Sequence, residues 1–285
     1  MIQTVGIYAK RNHSEAPKLA QDICSRLQQR GINYLLQPWL GEALDLQETC
    51  AEELIPQQVD LVIVLGGDGT LISVARQING LPVPILGVNL GSLGFLTEIT
   101  RHELPSTLDS VLDGKFEISD RMMLDVEILR RGQSVAKHTL LNDAVMNKGT
   151  LARIIDMETW VDGNYLTTFK SDGLIISSPT GSTGYNLAAG GPIIYPGINS
   201  LVITPICPHM LTNRPLIVPS TSTVAIDINF ADDVVYFTGD GQIGANLEPG
   251  DRVEIRQSNA RTQLIKSPTR DYFEILRTKL SWGER

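Results

Sequence analysis

A run of five apolar residues, Leu61-Val62-Ile63-Val64-Leu65, is followed directly by Gly66-Gly67-Asp68-Gly69-Thr70. An unbroken apolar run of this length is typical of a strand that is buried on both faces of a parallel sheet. In open α/β sheets, ligands bind beyond the carboxyl ends of the strands. The stretch therefore predicts an α/β fold in which Asp68 stands at the ligand-binding edge of the sheet.

The residues around Asp68 have the chemistry of an anion-binding turn. Glycines let a ligand approach the backbone closely, because they carry no side chain. Thr70 is expected to cap a helix over residues 71–76, whose free N-terminal amides favour anionic oxygens. One acid, a glycine cradle and a helix N-terminus together indicate a phosphoryl-transfer site. The same pentapeptide also fits an ordinary turn in which Asp68 bonds its own backbone, so both interpretations stay open.

The order of strand and helix patterns predicts two domains. Up to about residue 100 they alternate, which is typical of a parallel sheet covered by helices. Beyond residue 118, many short β-like runs separated by turns predict an antiparallel, sandwich-like domain. We expect an α/β domain over residues 1–118, a β-rich domain over 119–270, and a helix near 271–285 that returns to the first domain. The expected later strands are residues 140–146, 154–161, 173–177, 201–206, 216–218, 224–228, 234–237 and 253–256.

The composition limits the partners and the compartment. The 285 residues are 42% hydrophobic and carry a net charge of −8 without a basic block, which argues against nucleic acid and anionic membranes as partners. Three scattered cysteines and four histidines show no metal-ligand spacing and fit a reducing compartment. No apolar stretch approaches the roughly 20 residues that span a bilayer, and the N-terminus reads as a strand. We therefore expect a cytoplasmic protein.

Three further stretches carry candidate binding residues. The pair Asn142-Asp143 can bind the two hydroxyls of a ribose, although Asn-Asp is also a common turn pair. Residues 177–192 are rich in glycine and hydroxyls, and fit an adenine-ribose pocket or a surface loop equally well. The sequence Thr238-Gly239-Asp240-Gly241-Gln242 predicts a hairpin turn, or a turn that brings Gln242 into a pocket.

Several common nucleotide and hydrolase motifs are absent from the sequence. No Gly-x-Gly-x-x-Gly follows the first strand, so the usual dinucleotide fingerprint is missing. The P-loop pattern and the Gly-x-Ser-x-Gly nucleophile elbow are missing as well. A nucleotide site in this chain must therefore be built in another way.

The four stretches together resemble the NAD kinase family, which makes NADP from NAD and a phosphoryl donor; the bacterial or cyanobacterial type is the most similar. Residues 66–70 resemble the acidic glycine motif of the family, and Asn142-Asp143 its Asn-Glu/Asp pair. Residues 179–192 are similar to its Thr-Gly-Ser-Thr-Ala-Tyr…Gly-Gly-Pro stretch, and residues 240–242 to its Asp-Gly-Gln. Diacylglycerol and sphingosine kinases share the first motif, whereas all four in this order are specific.

The resemblance implies an α/β domain and a β-sandwich-like domain, with NAD held between them and across a subunit contact of a homodimer or homotetramer. It implies that Asp68 accepts the proton of the adenosine 2′-hydroxyl, with Gly69 beside it. The other implied NAD-binding residues are Asn142, Asp143, Arg153, Lys170, Asp172, Thr183, Gly184, Tyr185, Asn186, Leu187, Ala188 and Gln242. Gly184 departs from the family, which more often has alanine there.

The implied reaction uses ATP, or polyphosphate, as the donor and a divalent cation, Mg²⁺, to offset the donor's charge in an acidic protein. The resemblance assigns no metal ligands. Three other functions stay open: a lipid kinase of the diacylglycerol or sphingosine type, a sensor that binds NAD or NADP without turnover, and an enzyme of the same fold that prefers NADH.

Overall fold

The computed structural model describes residues 2–149, 155–229 and 234–283. The chain forms two compact units, one of residues 1–120 with 262–285 and one of residues 121–261. The first unit contains a parallel sheet with helices, and the second contains antiparallel sheets, so the predicted fold class is confirmed. None of the helices in the described ranges is long and apolar enough to cross a membrane.

The first unit is an α/β structure around a parallel sheet in the order β2-β1-β3-β4, with β5 parallel to β4. Every residue of β3 is buried, as the apolar run predicts. In the register of this sheet, Gly66 at the end of β3 lies beside Asn89 at the end of β4. The elements are β1 (Thr4–Ala9), α1 (Ala16–Gln29), β2 (Asn33–Leu36), α2 (Pro38–Leu44), β3 (Leu61–Gly66), α3 (Asp68–Ile78), β4 (Ile85–Asn89), β5 (Ile99–Thr100) and α4 (Leu104–Leu112).

The second unit is a sandwich of two antiparallel layers. One layer has the strand order β13-β12-β11-β8-β15-β16, and the other has the order β10-β9-β14-β17, with β6 beside β17 and β7 beside β6. Its elements are β6 (Ile118–Arg130), β7 (Gln133–Leu140), β8 (Asp143–Lys148), β9 (Ile155–Val161), β10 (Asn164–Ser171), β11 (Gly173–Ser177), α5 (Tyr185–Ala188), β12 (Ser200–Ile206), β13 (Leu216–Pro219), β14 (Val224–Asn229), β15 (Val235–Gly239), β16 (Ile243–Leu247) and β17 (Arg252–Ile265). Alternate apolar residues of both layers, such as Ile176 and Ile226, fill one core.

The chain returns to the first unit at the end of β17, where Leu264 pairs with Ile85 in parallel. The last helix, α6 (Tyr272–Leu280), follows. Asp271 caps this helix, because its carboxylate accepts the amide of Glu274 at 2.8 Å.

Some predicted elements differ from the structure. The strand predicted over residues 140–146 is interrupted, because the amides of Leu141 and Asn142 bond to a side chain instead of a neighbouring strand. The short strand predicted at residues 253–256 is the 14-residue β17, whose later part buries Ser258 and Thr262, two polar residues that an apolar pattern does not reveal. The edge strand β10 and the short helix α2 were not predicted.

Candidate active site

Asp68 is the first residue of α3 and follows the buried strand β3 by one residue. Gly67 precedes the helix in an extended conformation, and its carbonyl accepts the amides of Thr70 at 3.0 Å and Leu71 at 3.2 Å. The prediction that Thr70 caps the helix is therefore wrong, because the backbone of Gly67 already starts the helical hydrogen bonds three residues earlier. Asp68 consequently lies in the first turn, where the helix dipole stabilises a negative charge.

The carboxylate of Asp68 is held by the loop of residues 94–97, which follows β4. Its Oδ2 atom accepts the amide of Phe95 at 2.8 Å. Its Oδ1 atom accepts the amides of Leu96 at 3.1 Å and Thr97 at 3.0 Å, and the Thr97 hydroxyl at 2.9 Å. Four donors fix the carboxylate in one orientation. Oδ2 has only one donor among the described residues, so it keeps a lone pair for a further hydrogen bond.

Two residues that were not predicted from the sequence bring this loop to Asp68. Asn89 donates its side-chain N–H to Oγ1 of Thr97 at 2.8 Å, which leaves the Thr97 proton for Asp68. A Cβ atom at Gly94 would overlap Oδ1 of Asp68 and stand 2.8 Å from its Cγ. Only glycine therefore permits this approach. Gly94 belongs to no phosphate-binding motif, so the sequence carried no signal for its role.

A cavity of about 290 Å³ lies in the second unit at the start of β8. It contains three of the predicted site residues and presents amide, carboxyl, hydroxyl and phenol groups. Such a lining suits a ligand with several hydroxyls and a ring. The lining residues are Asn142, Asp143, Val145, Asn147, Tyr185, Thr238, Asp240 and Gly241.

The hairpin turn between β15 and β16 brings a second carboxylate to this cavity. Asp240 and Gly241 have φ values of 52° and 66°, the left-handed conformation that an Asp-Gly turn uses, so the predicted hairpin is confirmed. Asp240 accepts three consecutive amides: those of Asn142 at 2.7 Å and Asp143 at 3.2 Å on Oδ1, and that of Leu141 at 3.0 Å on Oδ2. The sequence predicted the turn, but it did not predict that the Asp240 carboxylate binds the backbone amides at the start of β8.

The predicted pair Asn142-Asp143 carries side-chain oxygens that have no hydrogen-bond partner among the described residues. The Asp143 side chain accepts no hydrogen bond from the residues that the structure describes, although the residue is only 5% exposed. Burial, reinforced by the charge of Asp240, raises the pKa of Asp143 to about 7. Oδ1 of Asn142 is buried and likewise has no hydrogen-bond partner within the described ranges. Since buried polar atoms are nearly always paired, these two side chains indicate a ligand that donates hydrogen bonds.

The loop after β11 packs against the same pair. The Ser178 hydroxyl donates to the carbonyl of Leu141, and a Cβ atom at Gly184 would stand 3.6 Å from Nδ2 of Asn142 and 3.9 Å from Oδ2 of Asp143. Gly184 therefore borders both groups, and the tyrosine after it, the first residue of α5, lines the cavity.

Asn186 is the internal support of this loop. Its Nδ2 donates to the carbonyls of Ser182 and Pro192, both at 3.0 Å, and its Oδ1 accepts the Thr204 hydroxyl at 2.6 Å. The residue is fully buried. Its amide group therefore organises the loop rather than reaching a ligand.

The remaining predicted residues that the structure describes do not line this cavity. Lys170 pairs with Asp156 at 3.4 Å, and Asp172 pairs with Lys148 at 2.7 Å. Gln242 lies exposed in the hairpin turn. Arg153 lies outside the described residues. The others are Gly69 in the first turn of α3, Thr183 in a short 3₁₀ turn, and Leu187 and Ala188 in α5.

The chain was compared with known families and proteins. Residues 5–116 match the ATP-NAD kinase N-terminal domain, and residues 141–267 match the ATP-NAD kinase C-terminal domain. The NAD kinase of Syntrophotalea carbinolica is 58% identical over the full length of both proteins, and that of Geobacter sulfurreducens is 51% identical, also over both full lengths. The chain belongs to the NAD kinase family. The family resemblance found in the sequence is confirmed.

Two solved structures of NAD(H) kinases share the fold. Yeast NADH kinase complexed with NADH has a TM-score of 0.92 at 26% identity, and the match covers 100% of this chain and 89% of that one. An NAD kinase from Archaeoglobus fulgidus in complex with ATP has a TM-score of 0.79 at 21% identity, covering 98% and 100%, which is a likeness of fold alone.

Family membership decides among the functions that the sequence left open. The curated relatives are named NAD kinases, so the interpretation as a lipid kinase is set aside. The clamped Asp68 falls inside the N-terminal family match, and the cavity around Asn142, Asp143 and Asp240 falls inside the C-terminal match. Each family domain of this NAD kinase thus contains one polar constellation.

Proposed function

We propose that the chain transfers the γ-phosphoryl group of ATP to the adenosine 2′-hydroxyl of NAD, which yields NADP and ADP, and that Asp68 is the proton acceptor. The clamped carboxylate of Asp68 at the N-terminus of α3 is the observation that carries this proposal. The family, described as ATP-NAD kinase, supports the choice of donor and acceptor.

Phosphoryl transfer depends on a positioned base more than on covalent catalysis. A ribose hydroxyl is a poor nucleophile at neutral pH. As the bond between the 2′-oxygen and the γ-phosphorus forms, the bond from that phosphorus to the β–γ bridging oxygen breaks and ADP leaves. The hydroxyl proton passes to Oδ2 of Asp68, the oxygen with the spare lone pair. A base of this kind contributes about 10²–10⁴-fold to the rate.

The cavity of the second unit suits the nucleoside part of NAD. The unpaired Oδ1 of Asn142 and the carboxyl of Asp143 can accept the two O–H groups of a ribose. Tyr185 supplies a partly exposed ring at the same cavity. In this proposal, Gly69, Arg153, Lys170, Asp172, Thr183, Gly184, Leu187, Ala188 and Gln242 stay predicted NAD contacts.

The proposed metal is Mg²⁺. The described residues contain no group of three or more histidine, cysteine or acidic side chains that could hold a metal by themselves. Mg²⁺ does not require such a group, because proteins commonly bind this ion through one or two carboxylates together with substrate phosphates. When bound, the ion offsets the negative charge of the donor phosphates.

We further propose that the enzyme is cytoplasmic and acts as a homodimer or homotetramer, and that ATP rather than polyphosphate is its donor. Lys170 occupies a position that varies within the family, and by that resemblance a basic residue there favours ATP and oxidised NAD. These points extend the family assignment, and the assay below distinguishes the donors and acceptors.

The test is NADP formation by the purified chain from NAD, ATP and Mg²⁺, measured with an NADP-specific dehydrogenase. Parallel reactions replace NAD by NADH, ATP by polyphosphate, or NAD by diacylglycerol in detergent. We expect NADP only with the metal present, and its loss with EDTA. Consumption of ATP with the lipid alone, or tight NADP binding by folded protein without ATP consumption, would contradict the proposal.

A further inference from the structure

Asp240 closes a gap in the sheet of the second unit. At the junction of β7 and β8, the amides of three consecutive residues, Leu141, Asn142 and Asp143, all donate to this one carboxylate. Asp240 is 8% exposed, and its own amide donates to the carbonyl of Asp143 at 2.9 Å. The Asp240 side chain therefore fixes the backbone of the proposed ribose-binding pair.

The neighbouring carboxyl of Asp143 is held differently. It accepts no hydrogen bond from the part of the chain that the structure describes, and Asp240 is the charged group that acts on it. The neighbouring strand β11 places Ser177 opposite Asp143. Other ionisable groups on the elements around it are Tyr185 of α5 at the cavity, His138 of β7 stacked on Phe237, and Lys148, which pairs with Asp172 at the other end of β8.

We infer that Asp240 is a positioning residue of the nucleoside pocket: its carboxylate fixes the backbone of Asn142 and Asp143, so that both side chains stand where a ribose can bind them. Because burial, reinforced by the charge of Asp240, favours the protonated form of Asp143 in the free pocket, binding of the dinucleotide should release that proton. The inference rests on the proposed function, because it takes the ribose of NAD as the ligand of this cavity.

The release of the proton follows from the hydrogen bonds that a diol makes. One hydroxyl of the ribose donates to Oδ1 of Asn142 and the other to the carboxyl of Asp143, and a hydrogen bond to an ionised carboxylate is stronger than one to a carboxylic acid. Binding of the diol therefore favours the charged form of Asp143, and the proton passes to the buffer. Because the pKa of Asp143 in the free pocket is about 7, NAD should release about half a proton at pH 7 and nearly one at pH 6.

The first experiment compares Asp240→Asn with Asp251→Asn. Asp251 is a matched control, since it is 1% exposed, lies in the same unit and accepts the backbone amide of Glu248, but does not line the cavity. We expect the KM for NAD to rise about tenfold or more in Asp240→Asn while kcat changes only a few-fold, because a loosened ribose pair weakens binding rather than the chemical step. Asp251→Asn should keep the wild-type KM. Equal KM values in all three proteins would overturn the inference.

The second experiment measures the proton directly. Calorimetry of NAD binding to the full chain, repeated in buffers of different ionisation enthalpy, gives the number of protons released. In Asp240→Asn the pH at which release is half-maximal should fall below 7, because a negative charge has been removed. Asp143→Asn should release none, which keeps the test valid if Asp240→Asn fails to fold.

The outcomes separate this inference from the proposed function. Wild-type protein that makes NADP without proton release between pH 6 and 7 contradicts the inference alone. Wild-type protein that binds NAD and releases a proton but makes no NADP supports the inference and contradicts the proposed reaction.

Discussion

Gly94→Ala should disable the enzyme without changing any functional group. A Cβ atom at this position would overlap Oδ1 of Asp68 and the hydroxyl of Thr97, and would lie 2.8 Å from Cγ of Asp68. Both oxygens belong to the clamp that orients the carboxylate. The added methyl group therefore acts on the position of Asp68, while all the catalytic groups remain present.

The size of the effect follows from the contact distances. Non-bonded carbon atoms pack at about 3.5–4.0 Å, so the 2.8 Å separation must lengthen by about 1 Å. A displacement of that size at a reacting group costs about 10²-fold in rate. We therefore expect kcat for NADP formation to fall about 100-fold in Gly94→Ala, with the KM for NAD changed only a few-fold.

The assay is steady-state NADP formation, with the folded state checked by circular dichroism and thermal unfolding. Gly91→Ala is the matched control in the same segment, because its Cβ atom would meet Oδ1 of Asn89 at an ordinary 3.9 Å. Gly91→Ala should keep a kcat near the wild-type value. A folded Gly94→Ala protein with wild-type kcat, or an equal loss of kcat in both variants, would refute the claim that the loop of residues 94–97 positions Asp68.

Three further predictions concern charge and hydrogen bonding. Asp143→Asn should stabilise the ligand-free protein above pH 7 by up to about 4 kcal/mol, because the raised pKa of Asp143 costs the wild type stability as the pH rises from about 4 to 7. Urea unfolding of both proteins at pH 4 and pH 8 measures this effect. A stability difference between variant and wild type that is the same at both pH values would contradict the prediction. Burial raises the pKa of Glu103, but hydrogen bonds from Arg270 and Thr100 outweigh burial and lower that pKa to about 2. Wild type should therefore be more stable than Glu103→Gln by about 2–3 kcal/mol above pH 5 and should lose that advantage between about pH 4.5 and 2. A stability difference between the two proteins that does not change with pH would contradict this prediction. Asn142→Ala should weaken NAD binding about tenfold, because it removes the unpaired acceptor in the cavity; an unchanged dissociation constant in calorimetry would remove this residue from the site.

The parts of the fold that are encoded locally could be predicted from the sequence. The apolar run before Asp68 specifies a buried parallel strand, and the position of Asp68 just beyond the carboxyl end of that strand follows from the chain order alone. The Asp-Gly pair at residues 240 and 241 specifies its hairpin in the same way, because few residues adopt the left-handed conformation that the turn needs.

The parts of the site that depend on distant contacts could not be predicted. The donors to Asp68 come from residues 27 to 29 positions further along the chain, and Asp240 meets amides that are 97 to 99 positions away. Neither Gly94 nor Asp240 differs in its local sequence from an ordinary loop or turn residue. Conversely, Asn186 belongs to a stretch that the sequence predicts to bind a nucleotide, yet its side chain forms its hydrogen bonds within its own loop and with Thr204.

The most direct test of the central claim is the single-turnover rate of phosphoryl transfer in wild type and Asp68→Asn, with NAD and the ATP–Mg²⁺ complex saturating. Rapid quenching and quantification of NADP isolate the chemical step from binding and product release. We predict that the rate falls at least about 100-fold in Asp68→Asn, while the dissociation constant for NAD stays within a few-fold of the wild-type value. A folded Asp68→Asn protein that transfers the phosphoryl group at the wild-type rate would contradict the assignment of Asp68 as the proton acceptor.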